Sequence, residues 1–179
     1  MLKISKSNET QIYILPYIDK TSKLLFRGRE YKCSIGHNGT KLKKREGDGT
    51  TPIGNFMARQ ILYRPDRISK PITSLPTIAL SPDDAWCDDP YRVEYNRMVK
   101  LPFSGSHELL WRKDNLYDVI LVIGYNDNPA RVPYGSAIFI HCSTRDYKPT
   151  KGCIALAKKT LISILPHITK KSSINIMQY

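Results

Sequence analysis

Residues 135–144 read Gly-Ser-Ala-Ile-Phe-Ile-His-Cys-Ser-Thr, and residues 149–156 read Pro-Thr-Lys-Gly-Cys-Ile-Ala-Leu. The first stretch is a β-branched and aromatic run that delivers His141 at its end, the composition of a buried strand stopped by turn residues. A polar loop then returns the chain to Cys153, twelve positions later and directly behind Gly152. Such a loop can fold back and bring imidazole and thiol together. Alternation along a strand points Cys142 to the face opposite His141, where a cysteine serves as a small buried hydrophobe.

Those residue types have a chemistry in common. Cysteine attacks a carbonyl as a thiolate, and a nearby imidazole makes the thiolate by taking its proton, leaving an ion pair. Backbone N–H groups around a glycine suffice for the oxyanion, and Gly152 lets a carbonyl approach the main chain closely. A packed cysteine and a polar strand terminus account for the same residue types without catalysis. A zinc site built on His141 and Cys153 also competes, but no second ligand pair stands at metal spacing. Cys33 and His37 are four apart, yet Gly36, Asn38 and Gly39 mark a turn. No metal and no cofactor are expected.

Outward from this core, similar short runs predict strands at Gln11–Ile18, Lys23–Arg27, Glu30–Ile35, Ile53–Ala58, Thr77–Leu80, Asp118–Tyr125, Ser136–His141 and Ser173–Gln178. The first three are joined by short polar links and form a meander. The expected class is mainly β, a mixed or antiparallel sandwich or barrel-like fold with one or two short helices. Leu161, Ile164, Leu165 and Ile168 share one face of a helix starting near Ala157, which Pro166 kinks or ends, with Lys158 and Lys159 on its solvated face. Ser106–Trp111 predicts a second short helix, with Ser106 as N-cap. Residues 46–54, Glu-Gly-Asp-Gly-Thr-Thr-Pro-Ile-Gly, lack Gly-Lys-Ser/Thr and a following helix, so they read as a loop feeding a strand and not as a phosphate loop.

With 179 residues and 41% hydrophobic composition, the chain is expected to be one domain with its own core. No apolar stretch approaches the roughly 20 residues that cross a bilayer. Residues 1–18 carry polar side chains where a signal peptide has its apolar segment. The net charge is +12, which first suggests a phosphate backbone as partner. Its distribution points elsewhere: residues 1–50 carry 11 basic and 5 acidic side chains and residues 151–179 carry 5 and none, while residues 51–150 are nearly balanced. No nucleic-acid motif accompanies the basic ends. Four cysteines without a C-x-x-C pair make neither a disulfide scaffold nor a zinc ribbon.

The Gly-Ser-Ala-Ile-Phe-Ile-His and Pro-Thr-Lys-Gly-Cys-Ile-Ala-Leu segments resemble the catalytic signature of the L,D-transpeptidase (YkuD-type) domain, whose Cys and His make and cross-link peptidoglycan. The resemblance runs through residues 46–54, Tyr63–Asp66, Trp86–Pro90, Tyr95–Arg97, Glu108 with Trp111-Arg112, and Gly124–Asn126, in the order of a compact branch of that family, over roughly residues 20–178. Against the better-known branch, Lys151 replaces a His, Ala155 lies near an expected Arg, and the His-to-Cys loop is shorter.

The resemblance implies Cys153 as nucleophile, His141 as general acid/base oriented by a backbone carbonyl, and the N–H groups of Gly152 and Cys153 as oxyanion donors. Lys151, a cation beside the nucleophile, favours thiolate. Trp86, Asn96, Glu108, Arg112 and Asn126 fall in matching segments and are candidates to line the cleft. The implied partners are peptidoglycan stem peptides, with no nucleic acid, met by a monomer at a periplasmic or cell-wall location in a bacterium. A carboxypeptidase that uses water as acceptor, and a non-catalytic module holding wall polymer or nucleic acid through its basic ends, are the other readings.

Overall fold

A computed structural model describes residues 9–18, 21–42 and 45–178. Five of the eleven basic side chains of residues 1–50, namely Lys3, Lys6, Lys20, Lys43 and Lys44, lie outside the described residues. Strand β1 (Gln11–Ile18), β2 (Thr21–Phe26) and β3 (Arg29–Ser34) form the expected antiparallel meander. In β2 alternate residues Ser22, Leu24 and Phe26 are buried, the period-2 mark of a strand covered on one face. Two-residue strands β4 (Thr40–Lys41) and β5 (Thr51–Pro52) pair in parallel at the base of the glycine-rich loop. Strand β6 (Gly54–Tyr63) runs past the Ala58 end that apolar patterning predicts, and β7 (Thr77–Ala79) adds to its edge in parallel.

Three short strands, β8 (Asp84–Cys87), β9 (Met98–Lys100) and β10 (His107–Leu109), make a separate antiparallel sheet in the order β10-β8-β9. The segment read as a second helix is therefore a strand. Glu108 pairs with Trp86 and Leu109 with Ala85, and a three-residue element is too short for periodicity to separate helix from strand. The chain continues through β11 (Val119–Ile123), β12 (Phe139–Cys142), β13 (Ile154–Leu156), helix α1 (Lys158–Ile164) with a 3-10 turn at Leu165–His167, and β14 (Ser173–Ile176).

The main sheet runs β11-β12-β13-β3-β2-β1-β14-β6-β7, and β11 pairs β6 as well. That pairing closes eight strands into a ring, with β7 appended, so the fold is a barrel with no free edge in the ring. Residues from every ring strand meet inside, among them Ile12, Leu24, Cys33, Ile61, Leu121, Ile140, Leu156 and Ile174. Leu161, Ile164, Leu165 and Ile168 join them from the helical segment, as their spacing predicts. Lys158 keeps its expected place on the solvated side, with its side chain 42% exposed. It reaches Asp118, 1% exposed, at 2.8 Å, and Arg67 meets the same carboxylate at 2.9 Å, because a charge that deep needs partners.

Strand β11 is buried at all five positions. One face packs inside the barrel, and Ile120 and Val122 pack outward with Leu62, Trp86, Leu110, Tyr117, Phe139 and Cys153. The small sheet covers that outer face, which explains why β11 reads as a continuous apolar run. The candidate site lies in this outer layer.

Candidate active site

Strands β12 and β13 run parallel, with His141 opposite Ala155. Cys153, two positions before Ala155, is thus diagonal to His141 on the same face. Strand rise and spacing set their backbones roughly 8 Å apart, within the combined reach of an imidazole and a thiol. Ala155 offers only a methyl between them. Ile140, Cys142, Ile154 and Leu156 alternate to the barrel interior, which places Cys142 on the face opposite His141, as strand alternation predicts.

Both side chains are nearly buried, Cys153 at 8% and His141 at 5% exposure. The Cys153 thiol donates to the Ala137 carbonyl at 3.1 Å and accepts the Phe139 N–H at 3.4 Å. His141 Nδ1 lies 2.8 Å from the Cys142 carbonyl. A carbonyl only accepts, so Nδ1 carries the proton and Nε2 is the basic nitrogen. Burial lowers the imidazole to about 4, with the carbonyl bond opposing and the Arg112 charge adding to the fall. The resting histidine is neutral. Burial thus favours the neutral imidazole, with Nε2 free to take a proton.

The two residues line a cleft of about 640 Å³. Glu108, Arg112 and Lys151, three of the residues singled out from sequence, line it too. Glu108 accepts the Tyr117 phenol at 2.5 Å. Burial pushes its carboxyl up, while the phenol and the charges of Arg112 and Lys151 pull it down. The Tyr117 ring stands edge-on to His141 at 5.2 Å and to Phe139 at 6.2 Å, with the Arg112 guanidinium 5.1 Å from its centre. Arg112 is itself forked onto Asp114, and the buried Arg64 holds its carbonyl at 2.6 Å. Tyr117 is the residue that sequence reasoning missed: its role comes from lateral packing on His141, which linear spacing does not display.

Trp86, Asn96 and Asn126 are not among the residues that line the cleft. They build its back wall. Asn96, 6% exposed, accepts the Trp86 indole N–H and the Ala137 N–H, both at 3.0 Å, and donates to the carbonyls of Tyr125 and Asn126. Asn126 donates to the carbonyls of Arg131 and Gly135 and accepts the Arg131 N–H. Trp86 packs edge-on against Phe139 at 5.0 Å. Their positions are chemically constrained because they fix the peptide that receives the thiol.

Gly152 has φ +141°, a region that side chains rarely adopt. Its N–H, expected from sequence as an oxyanion donor, donates to Thr150 Oγ1 at 3.1 Å, so that donor is already engaged. Its carbonyl accepts Thr51 Oγ1 at 2.9 Å, and Thr150 Oγ1 donates to the Cys153 carbonyl at 2.6 Å. Thr51 also receives the Gly36 N–H at 2.8 Å. A Cβ on Gly36 would lie 2.3 Å from the Gly49 carbonyl. The glycine-rich loop is therefore a brace for the cysteine turn, and Asp48 closes it by accepting the Thr50 N–H at 3.0 Å.

The chain resembles Bdellovibrio bacteriovorus Bd1075 at 17% identity and a TM-score of 0.47, covering 98% of this chain and 51% of that one. It resembles Mycobacterium tuberculosis L,D-transpeptidase 1 at 15% identity and a TM-score of 0.39, covering 95% and 60%. The chain thus spans between half and two thirds of the length of these solved structures. No curated protein sequence matches it. The family model described as YkuD, L,D-transpeptidase catalytic domain, matches residues 3–176. The chain belongs to the YkuD family of L,D-transpeptidase catalytic domains.

Proposed function

We propose that the chain is a peptidoglycan L,D-transpeptidase in which Cys153 is the nucleophile and His141 the general acid/base. The observation that carries this reading is the diagonal Cys153–His141 pair on one sheet face, at the floor of a cleft, with the imidazole tautomer fixed by the Cys142 carbonyl.

In the first half-reaction a donor stem peptide enters the cleft and His141 Nε2 takes the thiol proton. The sulfur forms a bond to the carbonyl carbon on the L,D bond, the C–N bond breaks, and the imidazolium returns its proton to the departing D-amino acid. In the second, an acceptor amine forms the new C–N bond, the C–S bond breaks, and the amine's proton passes through His141 back to sulfur. Arg112 and Lys151 are the cleft cations suited to the carboxylates of the stem peptide. They answer the absence of an arginine near Ala155.

The basic ends then serve attraction to an acidic wall polymer, raising encounter rate without defining the bond made. The protein acts as a monomer on stem peptides, outside the cytoplasm in the periplasm or at the wall, and nucleic acid is no substrate. No described helix is long and apolar enough to cross a membrane.

Product analysis tests the assignment. Purified stem peptides incubated with the protein are expected to give a cross-linked dimer by mass spectrometry, and the Cys153→Ala variant none. A trimmed peptide without dimer assigns water as acceptor and makes the protein a carboxypeptidase. Neither product, in the presence of intact substrate, overturns the enzyme reading.

A further inference from the structure

Two residues that line the cleft carry a buried polar atom with no hydrogen-bond partner among the described residues, Asp88 Oδ1 and Ser136 Oγ, and of the two only Ser136 adjoins Ala137, whose carbonyl receives the Cys153 thiol. Ser136 lines the cleft, is 3% exposed, and its Oγ has no hydrogen-bond partner among the described residues. A buried hydroxyl normally finds a partner, so one left bare beside a reaction centre points to a partner that arrives with the substrate.

The strap that carries it is rigidly set. Gly135 donates its N–H to Tyr95 Oη at 2.9 Å, and its carbonyl accepts Asn126 Nδ2 at 2.7 Å. Ala137 sits at φ +50°, strained for a residue with a Cβ, with its N–H fixed on Asn96 Oδ1. Its carbonyl receives the Cys153 thiol. Ser136 is thus clamped on both sides and adjacent in sequence to the peptide that touches the nucleophile. The Gly152 N–H, meanwhile, is committed to Thr150, which leaves a donor position to be filled.

We propose that Ser136 is a further catalytic residue, whose hydroxyl donates to the oxygen of the carbonyl that Cys153 attacks. The inference rests on Cys153 as the acyl-accepting nucleophile. As sulfur adds to the carbonyl carbon, the C=O electron pair moves onto oxygen and the Ser136 O–H supports that charge. The pair returns as the leaving group departs, and the hydroxyl keeps its proton throughout. Removing one such donor costs roughly 10²–10³ in rate where it has been measured, and a serine hydroxyl with rotational freedom falls at or below the lower end of that range.

The test compares two reagents on the same thiol in the wild type, Ser136→Ala and Cys153→Ala. p-Nitrophenyl acetate acylates through an oxyanion, whereas iodoacetamide alkylates by displacement at a saturated carbon and needs none. Ser136→Ala is expected to slow acetylation of Cys153 by at least about tenfold while leaving its alkylation rate and the melting temperature near the wild-type values. Equal loss in both reactions means that the variant disturbs the thiol itself, and unchanged acetylation means that the hydroxyl does not act; either result overturns the proposal alone. A wild type that takes no acetyl group at Cys153 removes the nucleophile assignment and the proposal with it.

Discussion

Cys142 ends β12 and Cys153 immediately precedes β13, its parallel neighbour, and both are buried, yet they belong to opposite sides of one sheet. Cys142 faces the barrel interior with Ile140, Ile154 and Leu156, where burial pushes its thiol up to about 11. Cys153 packs in the outer layer with Phe139, diagonal to a histidine and beside a 640 Å³ cleft. Cys33, also inside, is pushed up to about 12. The difference lies in sequence parity: on a two-residue period, one position decides whether a thiol meets aliphatic side chains or an imidazole and substrate. All four cysteines are free thiols, so the contrast can be probed directly.

The largest effect is expected at His141. His141→Ala removes the base and should slow acyl transfer to Cys153 by roughly 10²–10⁴, measured in a single turnover. A loss below threefold would break the contrast, because Cys153 would then be reactive without its neighbour.

Asn96→Ala comes next. It takes away the acceptor for both the Trp86 indole and the Ala137 N–H and the donor to two carbonyls. A loss of about 2–3 kcal/mol in denaturant unfolding is expected, with slower acyl transfer because the peptide that receives the thiol loosens. Full stability would show that the back wall does not depend on this hub.

The pH dependence sharpens the same comparison. His141 stays neutral in the fold down to about 4, whereas an unfolded histidine titrates near 6.5. Between those values the unfolded chain binds the extra proton and the folded chain does not. Stability from this group is therefore present above about 6.5 and is lost as pH falls toward 4. Single-turnover acylation should accordingly retain its base down to about pH 5, with the acid limb near 4. An acid limb at 6.5 would mean that His141 is solvated and not held in the outer layer.

The smallest effect belongs to Cys142→Ala, expected to leave acyl transfer within about twofold and to cost about 1–2 kcal/mol of stability through lost packing. A large activity loss with stability intact would place the interior thiol in the chemistry.

Seven of the eight ring strands are legible in the sequence because they rest on local patterns, whereas β13, only three residues long, is not among the runs that predict strands. Strands such as Gln11–Ile18 and Thr21–Phe26 alternate or carry β-branched runs, and His141 and Cys153 sit in distinctive segments. Patterning did not reveal the small sheet. Strand β8 is buried at all four positions and β10 has only three residues, so neither shows a period, and Ser106 with Glu108 imitates a helix start. The site's surroundings were legible as unusual residues without their roles. Trp86, Asn96 and Asn126 support the strap, while Tyr117 packs on His141 and Phe139 across the sheet, which no linear spacing reveals.

Peptide mapping of the protein trapped with a donor stem peptide tests the central claim most directly. The account predicts one acyl adduct, on the peptide containing Cys153, with Cys33, Cys87 and Cys142 unmodified. An adduct on any other cysteine, or product formed by a Cys153→Ala variant, would contradict it.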